Sequence, residues 1–289
     1  MTSPVVSRFA PSPTGQLHLG HALSALTAER VAHEAGGTFL LRIEDVDSTR
    51  SRPEHEAAIL EDLAWLGVAW DAPPRRQSDH RAAYLAAADA LAARGLLYPC
   101  SCTRRDVARA GARPGTDGLV YPGTCRGRAM SDRRPGDALR LDLAAALHGA
   151  PPLAFEEVGP LHAGTIRVDP EALIGGTGDP VLVRKETGDP AYHLAVTQDD
   201  AAQGITHVVR GDDLWSATPL HVLLQWLGGL QTPFYHHHDL VRDADGRRLA
   251  KIDGARALRA YRDAGASPSD VKALIGWSSS TSAPPRTPV

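Results

Sequence analysis

Residues 8–21 read Arg-Phe-Ala-Pro-Ser-Pro-Thr-Gly-Gln-Leu-His-Leu-Gly-His, a loop broken by proline and glycine that ends in two histidines three apart. Pro11 and Pro13 stiffen the backbone, so the loop aims its few polar groups rather than merely joining elements. Leu23, Leu26 and Val31 follow at helical spacing, which predicts an amphipathic helix over residues 22–33. Free backbone N–H groups and the positive end of the dipole at a helix start attract phosphate. His18 and His21 fall on one face of the first turn, where both imidazoles can donate to phosphate oxygens. Gly20 has no Cβ and lets an adenine ring approach the backbone. The H-x-x-H spacing alone fits a helix start with incidental histidines equally well. The stiff loop before it favours a nucleotide-activation site.

The rest of the chain alternates strand and helix signals. Thr38–Ile43 reads as a strand, followed by acidic residues and two helical stretches at 53–66 and 81–94. Gly/Pro/Arg-rich sequence over 103–136 interrupts the alternation as an insertion with little regular structure. Strand character returns at 139–143, 180–184, 192–197 and 207–210, and a helix is expected over 219–227. A parallel sheet accounts for this order, with the phosphate loop at strand carboxyl ends. The Ser/Thr/Pro-rich end, 278–289, reads as disordered.

At 289 residues the chain has room for one large α/β domain with an insertion, or for two domains. With 43% hydrophobic and 22% charged residues, it has no apolar run near the ~18 residues of a membrane span. The N-terminal segment has neither a basic nor an apolar signal region, so the cytoplasm is expected. A net charge of −3 argues against a broad positive coat, and any RNA contact must be local. Arg104, Arg105, Arg109, Arg113, Arg126, Arg128, Arg133, Arg134 and Arg140 stand against four aspartates in the same stretch. By themselves they describe a solvated loop as readily as a contact surface.

The 8–21 loop, Leu41-Arg-Ile-Glu-Asp-Val-Asp47 and Val209-Arg-Gly-Asp-Asp-Leu214 resemble, over about residues 5–255, the class I aminoacyl-tRNA synthetases of the glutamyl branch. The resemblance implies a Rossmann-like α/β catalytic domain with a zinc-binding insertion and a short C-terminal helical part. The expected divisions are 1–99 and 141–255 for the two catalytic halves, 100–140 for the insertion, 256–277 for the appendage and 278–289 for the tail. The chain stops near Trp277, with no length for the branch's helical anticodon-binding half. Its short length, Cys-x-Cys pair and Tyr-Pro-Gly-x-Cys element are most similar to the members of the branch that lack that half. Those members activate glutamate without tRNA and pass it to queuosine at the wobble position of tRNA(Asp). The expected partners are thus ATP with Mg²⁺, L-glutamate and queuosine-bearing tRNA(Asp), for a monomer.

Cys100, Cys102 and Cys125 are the only cysteines, and an odd count argues against a disulfide framework. Tetrahedral zinc needs four ligands; Cys100 and Cys102 give one pair, Tyr121 and Cys125 a second. Chemistry alone leaves tyrosine, histidine or water open at the fourth place, with His148 and His162 as substitutes. The resemblance favours Tyr121 and a structural zinc. His236, His237 and His238 do not form a second metal site, because successive strand residues point to alternate sides; His238 matches a histidine of the family.

Attack of an amino-acid carboxylate on the α-phosphate of ATP needs no general base, so catalysis rests on positioning and positive charge. The resemblance gives catalytic and ATP-binding roles to His18, His21 and Lys251, with Gly20 and Arg248 beside ATP. Arg248 to Ile252 depart from the family's K-M-S-K-S loop, keeping charge but losing hydroxyls. For glutamate, Arg8 and Arg210 suit the side-chain carboxylate and Glu44 the ammonium; Phe9, Ala10, Pro11, Ser12 and Tyr192 complete the implied pocket. Competing readings are a truncated enzyme charging tRNA(Glu), an inactive zinc-containing RNA-binding module, and an adenylate-forming ligase acting on a small amine.

Overall fold

A computed structural model describes residues 4–116, 118–242 and 256–278. Its strands are β1 (Val6–Phe9), β2 (Thr38–Ile43), β3 (Arg75–Arg76), β4 (Leu97–Cys100), β5 (Pro114–Gly115), β6 (Gly118–Leu119), β7 (Ala138–Leu141), β8 (Ala154–Glu157), β9 (Gly164–Arg167), β10 (Val181–Val183), β11 (His207–Gly211) and β12 (Phe234–His238). The helices are α1 (Leu19–Glu34), α2 (Pro53–Leu66), α3 (Arg81–Ala93), α4 (Arg104–Arg109), α5 (Leu143–Leu147), α6 (Pro170–Thr177), α7 (Tyr192–Ala202), α8 (Thr218–Leu227), α9 (Leu258–Asp263) and α10 (Pro268–Leu274).

The main sheet has the order β3-β2-β1-β11-β12-β8-β9. All its pairings are parallel except the β8–β9 hairpin. Side-chain alternation divides its two faces. Phe39, Leu41 and Val209 pack with α1, α2, Leu258 and Val271, while Leu40 and Val208 face α8, Leu194 and Leu97. Helices therefore cover both sides, as a parallel sheet requires. Helix α2 illustrates the local logic: Pro53 opens it, Glu54 and Glu56 complement its dipole, and Gly67 at φ 81° closes it. Its Ile59, Leu63 and Leu66 are fully buried, and truncating any of them to alanine would cost about 2–5 kcal/mol.

A second sheet, β10-β7-β4, is antiparallel and carries the insertion between β4 and β7. That insertion holds a six-residue helix, the two-residue strands β5 and β6 and a single 3-10 turn, in keeping with its sparse regularity in sequence.

Three elements differ from the sequence expectation. Residues 192–197 belong to α7, not to a strand. Leu194, Ala195, Val196 and Thr197 are all buried in succession, so packing overrides the β-propensity of Tyr, Val and Thr. Nor is there a turn signal before Gly204, too long a run for a typical strand. The strand expected at 139–143 ends at Leu141, because the Asp142 carboxylate accepts from Ala145 N at 3.0 Å and starts α5. Helix α1 starts one turn before residue 22, and its buried face is mainly Leu19, Ala22, Ala25, Leu26, Ala28 and Ala32. Leu23 and Val31 flank that stripe.

Candidate active site

Strand order reverses between β1 and β11: β1 leads through α1 to β2 on one side, β11 through α8 to β12 on the other. Such a switch point leaves a crevice at the strand carboxyl ends. A cavity of about 530 Å³ occupies it. Arg8 and Phe9 end β1 and Ala10, Pro11 and Ser12 follow it, Glu44 directly follows β2, Arg210 and Gly211 come from β11, and His238 from β12. His18, Gly20 and His21 line it from α1 and Tyr192 from α7. Every expected ATP and glutamate residue within the described part of the chain meets here. Arg248 and Lys251 lie outside the described residues, as does the tail from 279.

His18 is the N-cap of α1. Its Nδ1 accepts from Gly20 N, and His21 Nδ1 accepts from His18 N, each at 3.1 Å. The two rings form a capping box in place of the usual Ser and Glu. Because both Nδ1 atoms accept from the backbone, the proton of each neutral ring belongs on Nε2, a donor suited to an anion. A Cβ at residue 20 would meet the His18 ring at 3.0 Å. Gly20 thus makes room for the cap as well as for any ligand.

Arg8 and Arg210 have opposite surroundings. Arg8 is already in a two-pronged pair with Asp200, Nε to Oδ1 at 2.9 Å and Nη2 to Oδ2 at 3.3 Å. Arg42, fully buried, joins this network through Asp200 at 2.7 Å and Glu44 at 3.1 Å. Burial opposes ionisation of Asp200, but Arg8 and Arg42 outweigh it and hold the carboxyl down at about 2. Burial dominates at Glu44 and pushes its carboxyl up despite Arg42 and Arg8. Burial and the nearby Glu44 raise the Tyr192 phenol to about 12.

Arg210 is 6% exposed and donates only to neutral groups: His237 Nε2 at 3.1 Å, His221 Nδ1 at 3.1 Å and Thr218 Oγ1 at 2.6 Å. Among the described residues no carboxylate forms an ion pair with it. Burial and the guanidinium itself depress both imidazoles, His237 to about 3 and His221 well below the ordinary value. His237 passes its Nδ1 proton toward Glu157 Oε2 at 2.6 Å. A buried cation facing a cavity and paired directly with no carboxylate among the described residues has the chemistry to receive one.

The sequence reading missed Asp200, Arg42, His221, His237, Thr218 and Glu157. Arg42 carried a signal, since a cation within an apolar strand requires a buried counter-charge. The histidine run behaves as expected of a strand: His237 turns to Glu157 and Arg210, while His238 Nε2 lies 2.8 Å from Ser24 Oγ.

At the insertion, the Cys100, Cys102 and Cys125 sulfurs lie within 4.8 Å of one another. The Tyr121 hydroxyl is 3.3 Å from Cys100 Sγ and 3.5 Å from Cys102 Sγ, and Cys102 and Cys125 are 3.6 Å apart. These separations match the edges of a tetrahedron around an ion with ~2.3 Å sulfur and ~2.0 Å oxygen bonds. Arg140 lies 3.8 Å over the Tyr121 ring with its Nε 3.3 Å from Cys100 Sγ, which favours anionic ligands. His162 instead bonds Asp212 at 2.7 Å and stacks on Trp215. The arginine cluster divides: Arg126 pairs with Asp179, Arg128 with Asp137 and Arg113 with Gly175 O. Arg104, Arg105, Arg109, Arg133 and Arg134 are exposed, as are Arg113 and Arg126 themselves.

The chain matches the family described as tRNA synthetases class I (E and Q), catalytic domain, over residues 4–113 and 157–282. It is 53% identical to a glutamyl-Q tRNA(Asp) synthetase of Rhodobacter capsulatus over 94% of this chain and 100% of that one. A glutamyl-Q tRNA(Asp) synthetase of Nocardia farcinica is 44% identical over 97% of this chain and 86% of its own. A glutamate–tRNA ligase of Oleidesulfovibrio alaskensis is 38% identical, but this chain spans only 58% of it. The solved glutamate tRNA ligase of Elizabethkingia meningosepticum in complex with its amino acid superposes with a TM-score of 0.68 at 29% identity, covering 87% of this chain and 53% of that one. The chain belongs to the class I tRNA synthetases of the glutamate and glutamine branch, and is a ligase of that catalytic fold.

Proposed function

We propose that the protein activates L-glutamate with ATP, without needing tRNA, and transfers it to queuosine at the wobble position of tRNA(Asp). The observation that carries the glutamate assignment is Arg210, a buried cation whose hydrogen bonds all go to neutral acceptors. On this reading Arg210 receives the side-chain carboxylate with Arg8 beside it, and Glu44 receives the ammonium. Phe9, Ala10, Pro11, Ser12 and Tyr192 form the walls. A glutamine amide would leave Arg210 buried without a counter-charge, which is the basis of discrimination.

ATP lies against the start of α1, its adenine beside Gly20 and its phosphates at the Nε2–H donors of His18 and His21. The α-carboxylate attacks the α-phosphorus, pyrophosphate leaves with Mg²⁺, and no general base is required because the nucleophile is already an anion. Arg248 and Lys251 are assigned to the leaving phosphates. Cys100, Cys102, Tyr121 and Cys125 would hold a structural zinc, whose four protein ligands keep no position open for substrate. Arg104, Arg105, Arg109, Arg133 and Arg134 form the RNA contact. The acceptor assignment is supported by the likeness, over nearly the whole chain, to proteins named glutamyl-Q tRNA(Asp) synthetase.

The test is glutamate transfer to tRNA(Asp) prepared with and without queuosine. Transfer that depends on queuosine is expected; transfer to tRNA(Glu) alone would replace this reading with that of a shortened glutamate–tRNA ligase.

A further inference from the structure

A second cavity, of about 120 Å³, adjoins the first. Tyr192, Asp213 and Leu214 border both, so these residues divide a large chamber from a small one. The small chamber lies on the insertion side of Tyr192, away from α1 and the nucleotide. Its other walls include Thr116, Thr177, Ser216 and the apolar Leu220.

The chamber is built from distant parts of the chain. Thr116 belongs to the turn between β5 and β6; its backbone N–H and its hydroxyl both donate to Gly176 O near the end of α6, at 2.9 and 3.2 Å. A Cβ at Gly176 would meet the Thr116 methyl at 3.2 Å, so the insertion is seated closely against α6. His193, on the wall, places its Nδ1 3.0 Å from His221 Nε2, and His221 Nδ1 accepts from Arg210. Since an arginine N–H can only donate, His221 carries its proton on Nε2 and donates to His193. One hydrogen-bond chain therefore runs from the wall of the small chamber to the cation of the large one.

We infer that the small chamber is the acceptor subsite, taking the five-membered ring and vicinal diol of the group that receives the activated amino acid. The inference rests on the function proposed above and adds where, and by which residues, the acceptor is held. The hydroxyl-bearing residues Thr177 and Ser216 suit a diol as donors and acceptors, and Leu220 suits the ring carbons. The location suits the step. An acceptor hydroxyl oxygen forms a C–O bond to the α-carbonyl carbon of glutamyl adenylate as the bond from that carbon to the phosphate oxygen breaks. AMP leaves with that electron pair, and the hydroxyl proton passes to its phosphate. An acceptor entering past Tyr192 reaches the carbonyl from the side that the nucleotide does not fill. The cyclopentenediol of queuosine and the 3′-terminal ribose of a tRNA share this chemistry.

The experiment compares the wild-type chain with Thr177→Val, Ser216→Ala and the chamber-filling Ser216→Leu. Glutamate-dependent pyrophosphate exchange, which also reports folding, is expected to stay within about twofold. Transfer to queuosine-bearing tRNA(Asp) is expected to fall at least tenfold in the polar variants and further in Ser216→Leu. If the wild type charges tRNA(Glu) instead, the queuosine reading falls, and a tenfold loss of that transfer in the variants assigns the subsite to the terminal ribose. Unchanged transfer in all three variants, or a wild type that forms adenylate but passes glutamate to neither tRNA, overturns the subsite.

Discussion

Arg210 donates its Nε–H to Nε2 of His237 at 3.1 Å, so the cation rests on a neutral imidazole, and the nearest carboxylate along that line, Glu157, is reached only through the ring. A direct carboxylate partner would compete with the substrate's own. The relay through His237 fixes the guanidinium without cancelling its charge.

Removing that charge should act on selectivity more than on folding. Arg210→Gln is expected to lower kcat/KM for glutamate by about 10²–10³-fold and to erase most of the preference over glutamine. Pyrophosphate exchange with each amino acid measures both effects, and an unchanged glutamate-to-glutamine ratio would exclude Arg210 as the side-chain receptor.

Glu44 supplies a pH dependence. Burial raises its carboxyl above the ordinary value, so on acidification it takes up a proton earlier than an exposed glutamate and no longer attracts an ammonium. The KM for glutamate should rise as pH falls while the KM for ATP changes little, and Glu44→Gln should raise the former and flatten its profile.

Asp62 supplies a pH dependence of stability. It is 1% exposed and its two carboxylate oxygens accept no hydrogen bond, although Arg262 Nη1 lies 3.6 Å away. Burial pushes its carboxyl up to about 6. For an acid raised in the folded state, the penalty is full above pH 6 and vanishes below the unfolded value near 3.8. Asp62→Asn should therefore gain roughly 1–2 kcal/mol at pH 8 and much less at pH 4, read by urea unfolding at both.

The proposed zinc site has a local readout. Cys102→Ser, or a strong chelator, should release one zinc per chain and lower the melting temperature, with the loss of protection from hydrogen exchange centred on residues 98–141. Adenylate formation should survive better than transfer, since none of Cys100, Cys102, Tyr121 and Cys125 lines the large cavity.

Much of the lining of the candidate crevice is legible in the sequence because its residues sit in short local motifs: residues 8–21 contain both the β1 end and the start of α1. Its supports were not legible, because they join residues far apart in the chain. Arg8 and Asp200 are 192 positions apart, and His237 and Glu157 are 80. α7 misled for a related reason: its Tyr-His-Leu-Ala-Val-Thr start has strand composition, and only its packing between α3 and α8 makes it helical. The nine arginines looked alike in sequence. Arg126 and Arg128 are set apart by Asp179 and Asp137, which the fold brings to them.

The most direct measurement is glutamate-dependent ATP–pyrophosphate exchange by the purified chain, with and without added tRNA. Robust exchange without tRNA, abolished in a His18→Ala/His21→Ala variant, is the predicted result. Exchange that appears only when tRNA is added, or none under either condition, would contradict the account.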